Sequence, residues 1–155
     1  MARRRNRRRS GQRRTPRPLR VVDASVWVSR FVPSDEHHQA SREWLEARLN
    51  RGELLAAPVL LLAEVAGAIA RRTRAAELGL QAIDSLLRIS SLRLVAIDSR
   101  LGEEAARLAA TLHLKGADAV YAALAHHFKI PLITWDADQA ERVRPLISVS
   151  PPGQD

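Results

Sequence analysis

Along this chain, short apolar runs that stop at an acid alternate with longer stretches whose apolar residues recur at helical spacing. The first run, Arg20-Val21-Val22-Asp23, is β-branched and reads as a buried strand that delivers Asp23 to its carboxyl end. Ser25 to Val32 predicts a short helix ended by Pro33. A second helix runs from about Ser34-Asp35 to Asn50, with Ala40, Trp44, Leu45 and Leu49 on one face, so Trp44 belongs to the core. Glu53 to Ala57 predicts a second strand, and Pro58 suits the first turn of a third helix, Val59 to about Arg72. Leu78 to Ser90 gives an amphipathic helix, Leu92 to Ile97 an alternating strand, and Asp98-Ser99 opens a helix that stops at Gly116. The next helix starts at Ala117-Asp118-Ala119. Ile130 to Thr134 forms a fourth strand, Ala137 to Arg144 a last short helix, and Leu146 to Val149 an edge strand.

Strands alternating with helices predict an α/β fold: a central, mainly parallel sheet of about four or five strands, flanked by helices and joined by right-handed crossovers. The predicted organisation is an Arg-rich disordered tail at 1–19, one folded domain at 20–150, and a frayed C-terminal tail at 151–155. A folded part of about 130 residues buries roughly two thirds of its unfolded surface and needs no covalent staples.

Composition narrows the chemistry. There is no cysteine, which excludes disulfides, thiolate metal sites and cysteine nucleophiles and suits a reducing cytoplasm. The longest apolar run, Leu54 to Ala63, is broken by Pro58 and is too short to span a membrane; no apolar segment near the start resembles a secretory signal. The net charge of +8 is uneven. Residues 1–20 hold ten Arg and no acid, which leaves 15 Lys and Arg against 17 Asp and Glu, a net of −2, for the rest. The basicity lies in a tail that attracts phosphates or is merely solvated.

The acids carry the candidate chemistry. Asp23 at a strand end is either a helix N-cap or a site residue. Glu64 stands in Leu60-Leu61-Leu62-Ala63-Glu64-Val65-Ala66, a helix apolar all round and therefore expected to be buried. An unpaired buried carboxylate costs on the order of 2 to 7 kcal/mol, and Arg71, Arg72 and Arg74 are about two turns away. Asp98 reads as a cap. Asp118 lies in a first helical turn, where the dipole favours it. Asp136, like Asp23, follows a short apolar strand, with Thr134 and Asp138 beside it. The adjacent His37 and His38 diverge by about 100° on a helix and read as solvated surface; His126-His127 complement a helix C-terminus. No His-Glu-x-x-His spacing suggests zinc. In a parallel sheet Asp23 and Asp136 share the carboxyl edge, where helices bearing Glu64 and Asp118 begin. Carboxylates about 5 Å apart repel by roughly 3 kcal/mol per pair at an effective dielectric near 20. An all-oxygen set suits a hard cation, Mg²⁺ or Mn²⁺.

Together, Val22-Asp23-Ala24-Ser25, Glu64 in its apolar helix, Ala117-Asp118-Ala119 and Leu132-Ile133-Thr134-Trp135-Asp136 resemble the PIN-domain family, and more narrowly its VapC-type toxins of bacterial toxin–antitoxin pairs. The resemblance covers residues 20 to about 148. It implies a PIN-like three-layer sandwich and a Mg²⁺-dependent ribonuclease. In that reading Asp23, Glu64, Asp118 and Asp136 are the catalytic metal carboxylates, Asp138 is a fifth acid, and Ser25 and Thr134 are supporting hydroxyls. It further implies an RNA substrate, a homodimer, and an antitoxin whose segment covers the active-site groove. Interface candidates are the apolar helices Ser25 to Val32 and Val59 to Ala70. A mildly acidic body must hold RNA with basic groups, for which Arg71, Arg72, Arg74, Lys115 and the tail are candidates. Three alternatives compete: a housekeeping RNA-processing nuclease of the same fold, a phospho-acceptor receiver domain, and a non-catalytic RNA-binding protein. In the receiver reading Asp23 lacks its acidic neighbour and Lys115 precedes a helix instead of ending a strand; the RNA-binding reading leaves Glu64 unexplained.

Overall fold

The computed structural model describes residues 19–155, so the expectation of a disordered Arg-rich tail lies outside the described residues. Five strands, β1 (Leu19–Val22), β2 (Leu54–Pro58), β3 (Leu92–Val95), β4 (Leu132–Ile133) and β5 (Val149–Ser150), form one parallel sheet in the order β3-β2-β1-β4-β5. Val21, Val22, Leu55, Leu132 and Ile133 are fully buried, as strands covered on both faces require. Among the described residues seven helices do the covering: α1 (Ala24–Phe31), α2 (His38–Asn50), α3 (Leu61–Thr73), α4 (Ala76–Leu87), α5 (Ser99–Leu112), α6 (Gly116–Phe128) and α7 (Ala137–Val143). The chain steps from β1 to β2 to β3 in one direction and then returns past β1 to β4. Right-handed crossovers therefore set α1–α4 on one face and α5–α7 on the other, which makes a three-layer α/β sandwich. The contacts agree: α1 packs on α2 and α3, α3 on α4, and α5 on α6, while α6 lies across β1 and β2.

Between β1 and β4 the direction of winding reverses. The connection leaving β1 rises to one face and that leaving β4 to the other, so a crevice opens at their carboxyl ends. Asp23 and Asp136 stand at that crevice.

Several expectations need correction. Pro58 ends β2 instead of entering α3. The amides of Leu55 and Val59 point toward β3, bonding Ser91 O and Val95 O, so the proline nitrogen faces the β1 side, beyond the last β1–β2 pair at Val21–Ala56. Its missing N–H therefore breaks no ladder bond. Helix α3 is not buried all round: only Leu61, Val65 and Ile69 are, a stripe at i, i+4 and i+8, and Glu64 is half-buried beside it. Helix α1 is packed into the core through Val26, Trp27 and Val28, so it offers no free apolar face; exposed leucines lie instead on α4, at Leu78, Leu80 and Leu87. The second helix starts at His38, because residues 33–37 form a turn in which the Asp35 carboxylate accepts from the His37 N–H at 2.9 Å. Neither histidine is simply solvated: His38 Nδ1 bonds Ser29 O at 2.9 Å, and the His37 ring stacks on Trp135.

The C-terminal residues are tied down, not frayed. The Asp155 carboxylate accepts from Trp44 Nε1 at 2.8 Å and from Arg48 at 3.1 Å. It also lies 2.7 Å from Arg20 Nε, an ion pair not aligned for a hydrogen bond. Arg20 also pairs with the buried Glu53 at 2.9 Å. Among the described residues no helix is long and apolar enough to cross a membrane.

Candidate active site

Asp23 is 6% exposed. It caps α1, accepting from the Ser25 N–H at 2.9 Å, so the capping reading and the site reading describe one residue. Burial pushes its carboxyl pKa up, with hydrogen bonds from Ser25, Thr134 and Gln139 pulling the other way. The Ser25 hydroxyl lies 3.4 Å from that of Thr134 and accepts from the Trp135 N–H at 3.1 Å. Thr134 Oγ1 in turn accepts from the Asp136 N–H at 3.0 Å. Two hydroxyls thus lock the end of β4 onto the start of α1. Asp136 caps α7 through the Gln139 N–H at 2.9 Å.

From the two helical layers come Glu64 and Asp118, each in the first turn of its helix. The buried Tyr121 hydroxyl donates to Glu64 Oε2 at 2.7 Å, a bond that joins α6 to α3. Glu64 thus has its partner, a phenol and not an arginine. Desolvation pushes the Glu64 pKa up; the Tyr121 bond opposes this, while the charges of Asp23 and Asp118 add to it. Asp118 is pushed up to about 6, first by desolvation and then by the charges of Asp23 and Asp136, with Lys115 pulling it down. A cleft carboxyl raised by desolvation together with acidic neighbours is the pattern of a functional-site candidate.

Asp23, Glu64 and Asp118 line one cleft of about 260 Å³ with Ser25, Arg71 and Arg72. A second cleft, sharing Ser25 and Arg72 with the first, holds Asp136, Trp135, His37 and Asp35. Four predicted acids and Ser25 are therefore gathered at the crevice, with Thr134 buried behind. Asp138 is turned away: it is exposed and accepts from Arg142 at 2.9 Å, which holds its pKa down. Of the basic candidates, Arg71 and Arg72 line the cleft, Arg72 bonding Asp35 at 2.5 Å, and Lys115 is close enough for its charge to act on Asp118. Arg74 is exposed at the far end of α3 and does not line it. A larger cavity of about 590 Å³ lies elsewhere, beside Glu104, His126 and Leu146, and contains a single carboxylate.

The all-oxygen donor set at the cleft fits a hard divalent cation. As they stand, no three acids or histidines among the described residues are drawn together closely enough to enclose an ion. Burial raises the carboxyl pKa values first, and the like charges add to it at Glu64 and Asp118.

Two contributors escaped the sequence reading. Tyr121 is at i+3 from Asp118, on the same face of α6, and Gln139 is at the N3 position of α7, its backbone N–H capped by Asp136 and its side chain left free to reach elsewhere. The Gln139 side chain is 1% exposed and reaches Asp118 O at 3.4 Å.

A model of the PIN domain matches residues 20–144. No curated protein sequence matches the chain. Among solved structures it is similar to the Mycobacterium tuberculosis toxin VapC20, a sarcin–ricin loop cleaving toxin, at 16% identity and TM-score 0.68, over 79% of this chain and 93% of that one. It is also similar to chains in VapBC2 from Rickettsia felis bound to a promoter DNA fragment (16% identity, TM-score 0.65, 86% and 98% covered) and in DNA-bound VapBC from Salmonella typhimurium (17%, 0.66, 86% and 98%). At such identities these likenesses establish the fold.

Proposed function

The chain belongs to the PIN-domain family, and from that premise we propose that it is a Mg²⁺- or Mn²⁺-dependent endoribonuclease, the toxin of a toxin–antitoxin pair. The observation that carries the reading is the convergence of Asp23, Glu64 and Asp118 in one cleft, with Asp136 adjoining, at the point where the sheet's winding reverses. Asp23, Glu64, Asp118 and Asp136 would hold the cation. Bound there, it would supply a lowered pKa for attacking water and neutralise charge on the scissile phosphate.

The protein's own part is orientation. Ser25 fixes the Asp23 carboxylate through its N–H and ties Trp135 through its hydroxyl, and Thr134 fixes the Asp136 backbone. Tyr121 aims Glu64 across the layers. Arg71, Arg72 and Lys115 at the rim offer cationic groups to the phosphates flanking the cut, which an otherwise acidic surface needs. Asp138, engaged by Arg142 and turned away from the cleft, is left out of the cation site.

The structural relatives include an RNA-cleaving toxin and toxin complexes, which supports the RNA substrate and an antitoxin partner. The exposed leucines of α4 offer apolar surface to a protein partner or a second copy. The test is cleavage of total RNA with Mg²⁺ or Mn²⁺, with and without chelator, by wild type and Asp118→Asn. Metal-dependent cuts that the variant does not make support the reading. Full cleavage by a folded Asp118→Asn protein removes that residue from the mechanism. Growth arrest on expression, relieved by the product of an adjacent small gene, separates a toxin from a housekeeping nuclease.

A further inference from the structure

Beside the acids lies an aromatic arrangement that the proposed hydrolysis does not use. The rings of His37 and Trp135 stack with centroids 4.0 Å apart and planes within 4° of parallel. The stack is built with care on both sides. Trp135 is anchored at its indole nitrogen, which donates to Ser41 Oγ at 2.7 Å, and at its backbone N–H, which donates to Ser25 Oγ. His37 is held through its backbone N–H by Asp35, which Arg72 of α3 clasps in turn. The imidazole itself has only a loose polar contact, Nε2 lying 3.8 Å from Glu36 Oε1. The stack shares a cleft with Asp136 and Arg72, and Trp135 is the immediate neighbour of Asp136 in the chain.

One face of the imidazole is covered by the indole, yet the side chain keeps 36% of its surface exposed. The exposed part is the opposite face and edge, open to solvent next to the acids. A flat, rigid, sequence-tolerant surface beside a phosphodiester site is what an unpaired base stacks on. We propose that the His37–Trp135 stack is a base platform, holding an unpaired nucleobase next to the scissile phosphate on the open face of His37. This rests on the RNA-hydrolase reading and adds to it a reason for preferring single-stranded over duplex RNA. In a duplex both faces of every internal base are already covered.

The experiment titrates short single-stranded RNAs of mixed sequence into the full-length Asp118→Asn protein and follows tryptophan fluorescence. Trp27 and Trp44 are 0% and 7% exposed, so a change on binding reports on Trp135. The same RNAs are then tested with an abasic residue moved along the strand. The expected result is a loss of affinity of about tenfold when one particular base is missing. His37→Ala should show the same loss with intact RNA and no further loss with the abasic strand, whereas His37→Phe should retain the affinity of the intact pair. Because His37 is held through its backbone, both substitutions leave the turn at 33–37 in place. Unchanged affinity in His37→Ala, abasic losses that do not depend on residue 37, or no binding of single-stranded RNA would each overturn the platform. Cleavage by the wild-type chain, assayed in parallel, keeps the two readings apart. Cuts made equally by His37→Ala sink the platform and leave the nuclease; base-dependent binding through His37 without any cleavage does the reverse.

Discussion

The Asp23 carboxylate caps a helix and heads an acid cleft at once, and the two tasks conflict. A cap is best served by a full negative charge, whereas burial beside Glu64 and Asp118 pushes the proton on. Asp118 feels the conflict most measurably. Its folded pKa of about 6 lies above the 3.8 of the free side chain, so the folded state binds the proton more tightly. The stability this group contributes is complete below 3.8 and is lost as pH rises through 6. Asp118→Asn should therefore melt later than wild type at pH 8 in chelator, by roughly 1 kcal/mol given its half exposure, while losing RNA cleavage. A melt of both proteins over pH 4 to 8 tests the sign; an Asn variant less stable at pH 8 contradicts it. Tyr121→Phe removes the hydroxyl that aims Glu64. It should weaken Mg²⁺ dependence about 10- to 100-fold, read as the metal concentration giving half-maximal cleavage, with little change in melting temperature. Asp23, Glu64, Asp118 and Asp136 were legible in the sequence because a charge interrupting an apolar pattern stands out there. Tyr121 was not, since a tyrosine in an apolar helix has the same pattern as any core residue.

At the scale of elements, α3 matters most, because it brings Glu64 to the cleft and presents Arg71 and Arg72 to it. What seats α3 is α4, and the seat is tight at Gly79. A side chain there would place its first carbon 2.6 Å from Ala66 O, a backbone atom that cannot step aside. Gly79→Ala should cost about 1 to 3 kcal/mol through separation of the two helices, and should lower cleavage more than a surface change on α4 such as Gln81→Ala. Thermal melts and initial rates on the same RNA check both halves. Strands β1, β3 and β4 were readable because each is a short apolar run that ends just before a helix-capping acid; the edge strand expected at Leu146 to Val149 lies instead at Val149–Ser150, because the Leu146 and Ile147 amides bond Val143 O in the turn that ends α7. Helix entries were less readable. Pro58 satisfies a strand end as well as a helix start, and the turn at 33–37 depends on Arg72, which is far away in the chain.

For the whole molecule, two charge systems sit at opposite ends of β1: the acids at Asp23, and the Arg20–Glu53–Arg48–Asp155 cluster at the other end. Burial alone would raise the Asp155 pKa, but the Trp44 hydrogen bond and the charges of Arg48 and Arg20 outweigh it and hold the group below 3.8. Its stabilisation is present above 3.8 and is lost as pH falls further. In chelator the two systems oppose each other, and stability should peak at about pH 4 to 5 and decline on both sides. Asp155→Asn should flatten the acid side, and millimolar Mg²⁺ the alkaline side. Calorimetry across that range decides each. The contact between Ser25 and Thr134 spans 109 positions of the chain, and that span has a consequence for synthesis. Until β4 has been made and has paired with β1, one edge of the central strand is open and Asp136 has not been brought beside Asp23. If the chain is the nuclease proposed above, one truncated before residue 132 should not cleave RNA, and it should be prone to aggregate through that bare edge.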